Sequence, residues 1–173
     1  LENKYKSWSN LKKRLEQEFL CEKLRKRVDY FLTSYHNVHN CYGRASVRID
    51  KIDVVCFSWD KEFQQHQDMW QYKKNETKSN HINWDDIYVI HQDEWYEKGV
   101  ICDGEFIEAV LIFLKTPIEE AIASKNLLIK LLAIVDRRIG KRRLVELKDK
   151  GDYLNYPNWL KQFYELRFYV EGV

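Results

Sequence analysis

The stretch VDYFLTSYHNVHNCYGRASVRIDKIDVVCFSW, residues 28–59, decides how the rest of the chain is read. Val28, Tyr30 and Leu32 alternate with Asp29, Phe31 and Thr33, the period of two that gives a strand one apolar face. Asn37–Gly43 is turn chemistry, after which Arg44–Asp50 and Ile52–Trp59 are two further β-rich runs. Short strands with short connections pair most directly with their sequence neighbours, so the expected product is an antiparallel meander. The turn between the last two runs falls at Asp50-Lys51, where two-residue hairpins more often place Gly.

Working outward, Ser9 is placed to cap a helix over Asn10–Lys26, with Leu11, Leu15, Phe19 and Leu24 at helical spacing. Asp60–Asn83 is polar and reads as a partial helix followed by an exposed loop near Asn75–Asn80; Ile87–His91 is a candidate fourth strand. Past Asp103-Gly104 the pattern turns helical. Glu105–Lys115 forms one helix, and Thr116-Pro117-Ile118-Glu119 reads as an N-cap, a first-turn proline and a capping box opening the next. That helix is expected to run from Pro117 to about Arg138, with Gly140 ending it in a left-handed conformation and Arg137 and Arg138 complementing its dipole. A short helix follows over Lys141–Lys148. A last one begins at Pro157 and turns Trp159, Phe163, Leu166 and Val170 to one face. The fold class is therefore α+β. An N-terminal helix packs on a three- to four-stranded antiparallel meander, and a helical C-terminal half follows, all within one domain spanning residues 1–173.

Composition fits this reading. At 173 residues, 45% hydrophobic and 32% charged, the chain has an ordinary globular balance and needs no disulfide or metal to hold a core. Four cysteines, Cys21, Cys41, Cys56 and Cys102, show no CxxC pair and read as reduced thiols. No apolar run is long enough to span a bilayer and no signal peptide is evident, so a cytoplasmic location without membrane association is expected. Net charge is only +2 but unevenly spread: residues 60–108 carry twelve acids against five Lys, while residues 130–143 carry six basic side chains against Asp136 alone.

Motifs for chemistry are sparse. His36, His39 and Cys41 form an H-x2-H-x-C cluster, yet no second ligand pair completes a structural zinc site, so no metal is expected. Glu105 and Glu108 lie three apart on one helix and could share a proton or an ion, but no Lys or His completes a hydrolase site. Walker, GxGxxG, GxSxG and HExxH signatures are absent, and no catalytic residue or cofactor is assigned.

Two charged poles remain. The basic one is Arg137, Arg138, Lys141, Arg142 and Arg143. Its functional reading is contact with nucleic-acid phosphates, and its structural reading is a helix terminus whose cations pair with acids elsewhere. A pI of about 8.3 falls below the value above 9 usual for a nucleic-acid-binding domain. The acidic pole is Trp84, Asp85, Asp86, Asp93, Glu94, Trp95, Tyr96 and Glu97. Rings among carboxylates suit the capture of a basic protein, since the rings supply affinity and the charge supplies association rate. The structural reading is an acidic loop over core tryptophans.

Three segments, Trp8–Lys13, Asp136–Arg142 and Trp159–Arg167, together resemble a family of short bacterial proteins without an assigned function. The resemblance implies a bacterial, cytoplasmic protein and brings no catalytic residues. The expected function is a non-catalytic protein-binding module, immunity-like, that neutralises a basic partner through the acidic-aromatic pole. The alternatives are nucleic-acid binding through Arg137–Arg143, or an enzyme with an unrecognised site.

Overall fold

Alternating side chains and short turns give the meander. In the computed structural model β1 (Val28–Ser34), β2 (Gly43–Ile49) and β3 (Ile52–Ser58) form an antiparallel sheet in the order β1-β2-β3. The structure describes residues 8–34, 43–58, 96–99 and 101–173, with positions 67, 68, 71 and 75. The candidate fourth strand Ile87–His91, the loop near Asn75–Asn80 apart from Asn75 itself, and the His36–His39–Cys41 cluster lie outside the described residues.

Register follows the hydrophobic pattern. Tyr30 opposes Val47 and Val47 opposes Val55, while Ala45 opposes Phe57, so one face of all three strands is apolar and buried. The Asp50-Lys51 turn has φ values of 51° and 71°, left-handed at both central positions without a glycine. Non-glycine residues in that region cost about 1–2 kcal/mol each, and two ion pairs oppose the cost. Arg27 grips Asp50 with Nε at 3.0 Å and Nη2 at 2.6 Å, and Lys51 pairs with Asp29. The hairpin tip is thereby tied to β1 and the residue before it.

Ahead of the sheet in the chain stands α1 (Trp8–Arg14), which passes into a π-helical turn over Leu15–Phe19 rather than continuing to Lys26. At Leu20 the backbone turns extended and bridges to Asp136, with Cys21 N donating to Val135 O at 2.9 Å and Arg137 N to Phe19 O at 2.7 Å. Helical periodicity through Leu24 survives only as a short 3-10 turn at Glu22–Leu24, because backbone pairing with the distant segment claims the intervening residues.

The C-terminal half is helical as expected. It holds α2 (Asp103–Phe113), α3 (Ile118–Ala123), α4 (Leu127–Ile134), α5 (Lys141–Lys150) and α6 (Asn158–Glu171). Phe106 of α2 stacks on Phe57 of β3 at 4.6 Å and meets Trp8 of α1 at 6.0 Å, joining helices to sheet. In α6, Trp159, Phe163 and Leu166 are buried as their spacing requires.

Three local expectations are corrected. The long helix from Pro117 is two helices, broken at Ser124 and reopened by Asn126, whose Oδ1 accepts from Leu128 N at 2.9 Å and Ile129 N at 3.2 Å. Thr116 forms no capping box, since its hydroxyl donates back to Ile112 O at 2.8 Å and closes α2 instead. Gly140 is not left-handed: at φ −77° it stands at the N-cap of α5, and Gly151, at φ 71°, and Gly172, at φ 66°, are left-handed glycines that end helices. Among the described residues, no helix is long and apolar enough to cross a membrane.

Candidate functional site

The five cations of the basic run come from two places. Arg137 and Arg138 lie in the turn after α4; Lys141, Arg142 and Arg143 form the first turn of α5, at the end of a helix whose dipole disfavours positive charge. Arg138 pairs with a buried carboxylate while its side chain stays one-third exposed. Asp136, fully buried, accepts from Arg138 N at 2.7 Å through Oδ1, and from Nε at 2.8 Å and Nη2 at 2.7 Å through Oδ2. The same guanidinium lies 4.8 Å from the Phe19 ring and 5.5 Å from Phe113, and reaches Thr116 O at 3.4 Å. It joins the π turn, α2 and α4.

Arg143 is also engaged, with Glu119 of α3 at 2.8 Å and Glu146 of α5 at 3.0 Å. The Arg143 hydrogen bond holds the Glu146 carboxyl below the usual range, helped by Arg142 at 3.3 Å. Arg142 itself is almost wholly exposed. Arg137 and Lys141 are exposed as well. Charge density in the sequence thus resolves into two partly exposed cations that tie elements together and three that stand more openly on the surface.

Of the acidic-aromatic pole, Trp84, Asp85, Asp86, Asp93, Glu94 and Trp95 lie outside the described residues; Tyr96 and Glu97 lie within them. Tyr96 packs against the core and its carbonyl accepts from Trp159 Nε1 at 3.0 Å, while Glu97 is exposed. The turn that follows requires Gly99. Its φ is 69°, and a Cβ there would come within 3.3 Å of Trp159 Cδ1. Ile101 O then accepts from Ser58 N at 3.1 Å, laying this strap along β3.

Between the strap and the sheet opens a cleft of about 360 Å³ lined by Arg44, Asp53, Val55, Cys56, Lys98 and Trp159. Asp53 is its polar hub, accepting from Ser46 Oγ at 2.9 Å, from Arg48 Nε at 2.8 Å and from Arg44. Burial pushes the Asp53 carboxyl up, but these hydrogen bonds and the two guanidinium charges outweigh it and hold the group below its ordinary value. Arg44 Nε also donates to Cys56 Sγ at 3.0 Å. Of these residues only Cys56, as a reduced thiol, and Trp159, on the buried face of the last helix, stand out in the sequence, neither with a functional role. The signal available was the alternation Arg44, Ser46, Arg48 opposite Asp53 on neighbouring strands.

A further polar junction, with no signal in the sequence, joins the segment after the π turn to the last turn of α6. Arg167, only 2% exposed, donates to Ile139 O at 3.0 Å and lies 3.5 Å from Glu171. Glu171 also takes Lys23 at 2.8 Å and the Cys21 thiol at 3.3 Å. The Lys23 hydrogen bond leads the effects that lower the Glu171 carboxyl below its usual range. Among the described residues no group of three or more His, Cys, Asp or Glu side chains is arranged to hold a metal.

A family model, that of the SF0329 protein family, matches residues 7–168. The chain belongs to the SF0329 protein family. The match contains all three segments on which the resemblance rested, and the structure brings two of them together, Arg167 meeting the carbonyl of Ile139. SF0329 is an uncharacterised family, so membership places no active-site residue. No curated protein and no solved structure matches the chain.

Proposed function

We propose that this chain is a non-catalytic protein-binding module of the bacterial cytoplasm that captures a basic protein partner, in the manner of an immunity protein, through its acidic-aromatic segment. The observation that carries the reading is the tether of that segment's end. Tyr96 is fixed to the buried Trp159 of α6 while Glu97 faces solvent. A charged segment held at its root by the rigid fold loses less freedom on binding than a free tail would. The internal pairing of Arg138 and Arg143 removes two of the five cations on which phosphate recognition would depend.

The test is a pull-down from a bacterial lysate with wild-type bait and an Asp93/Glu94/Glu97→Ala bait of matched circular dichroism. Wild type is expected to retain a protein of pI above about 9, released by salt as steering by charge requires, and the triple variant to lose it. Equal retention by the two baits, or none by either, contradicts the proposal. Nucleic-acid binding through exposed Arg137, Lys141 and Arg142 is the second reading; the exposure of Arg142 is what favours it.

A further inference from the structure

The two most exposed large apolar side chains among the described residues are Tyr169, at 78%, and Ile52, at 72%. Both belong to one face. Ile52 lies opposite Ile49 across the Asp50-Lys51 hairpin, and Ile49 shares with Tyr169 an open groove of about 540 Å³ whose other walls are Arg27, Gln162, Glu165 and Leu166. Single exposed apolar side chains are ordinary, but two beside a recess form a patch that suits an interface. The α6 side of the groove has a defined shape. Gln162, Glu165, Leu166 and Tyr169 follow the spacing i, i+3, i+4, i+7, the four corners of the hole into which a helix packing alongside inserts one side chain. Buried Leu166 forms its floor, while Gln162, Glu165 and Tyr169 are exposed. Asp50 already grips Arg27, so the rim offers an occupant the Glu165 carboxylate as acceptor rather than a strong field.

We propose that this face is an interface between two copies of the chain, with α6 of one packed antiparallel on α6 of the other. The hole and the side chain that fits it sit on the same helix, which is the condition for a two-fold contact in which each copy gives what it receives. With the axis between Glu165 and Leu166, position 169 of one copy falls opposite position 162 of the other, because the axis lies midway between them. Tyr169 then enters the hole of the other copy. Its ring covers Leu166 and Ile49 there, and its hydroxyl donates to the Glu165 carboxylate, so the apolar body and the polar tip are both matched. Ile52 extends the covered apolar surface from the hairpin tip.

Sedimentation equilibrium of the full chain tests this, with circular dichroism to show that each variant is folded. Wild type is expected to be dimeric at about 100 μM and to dissociate toward about 1 μM, as a contact built on one helix and a hairpin tip would. Tyr169→Glu sets a second carboxylate against Glu165, and Tyr169→Ala removes the inserted ring. Each is expected to raise the dimer dissociation constant at least about tenfold; should the glutamate variant not fold, the alanine variant decides. Leu154→Glu changes an exposed apolar side chain outside the groove and is expected to leave the dimer unaltered. A wild type that stays monomeric at about 100 μM, a dimer that a folded Tyr169 variant does not weaken, or one that Leu154→Glu weakens as much, overturns the proposal.

Discussion

Replacing Asp136 with alanine is expected to lower the free energy of unfolding by about 3 kcal/mol, the order found when a buried charged hydrogen-bond acceptor is removed. In a chain of this size that is a fall of about 6–12 °C in Tm. Asp136 is fully buried and takes three bonds from Arg138, one of them from the backbone N–H. Its loss leaves that N–H without its acceptor and frees the guanidinium from between Phe19 and Phe113. The Arg138 side chain is one-third exposed, so water takes up part of its charge, and the cost stays below that of a fully stranded ion. Asp136→Asn keeps an acceptor for the backbone and is expected to lose about half as much. Urea unfolding monitored by circular dichroism measures both; a loss under about 1 kcal/mol for Asp136→Ala would refute the role given to this residue.

The junction at Arg167 should respond unequally to its two partners. Glu171→Ala leaves Arg167 buried and Lys23 without its carboxylate, an expected loss of about 3 kcal/mol. Arg167→Met removes the buried charge itself. Among the described residues Nε and Nη1 of Arg167 have no hydrogen-bond partner, so only the Nη2 bond to Ile139 O and the contact with Glu171 are forfeited, and a change within about 1 kcal/mol of wild type is expected. Acid gives the same answer by another route. The folded Glu171 carboxyl titrates below its ordinary value of 4.5, so its contribution is complete above that pH and is lost as pH falls through the lower folded value. The stability difference between wild type and Glu171→Gln should therefore shrink as pH drops below about 4.5. Equal losses in Glu171→Ala and Arg167→Met, or a pH-independent difference, would show that the cluster is not organised around the carboxylate.

What could be read from the residues was local. Alternation over residues 28–58 fixed three strands and their order, because a period of two assigns each side chain to a face without long-range information. The break between α3 and α4 escaped notice because Ile118, Ile122, Ile129 and Leu132 keep helical spacing across it. The cap residue Asn126, the signal for a new start, lies inside that apolar pattern. Gly140 was ambiguous by nature, since glycine suits both a left-handed stop and an uncapped start. Arg167 falls four residues after the buried Phe163, a core-facing position that charge alone argued against. The cleft depends on β2, β3, the Gly99 turn and α6 meeting, and no single segment announces that.

The two poles of charge are the features on which function turns, and the pairing of Arg138 with Asp136 and of Arg143 with Glu119 assigns part of the basic pole to the fold. Fluorescence titration of labelled single- and double-stranded DNA and RNA, at low and near-physiological salt, tests that division most directly. The account predicts no saturable binding at near-physiological salt. Binding tighter than about 1 μM that weakens steeply with salt, and that is lost in Arg137/Lys141/Arg142→Gln while the fold is kept, would contradict it.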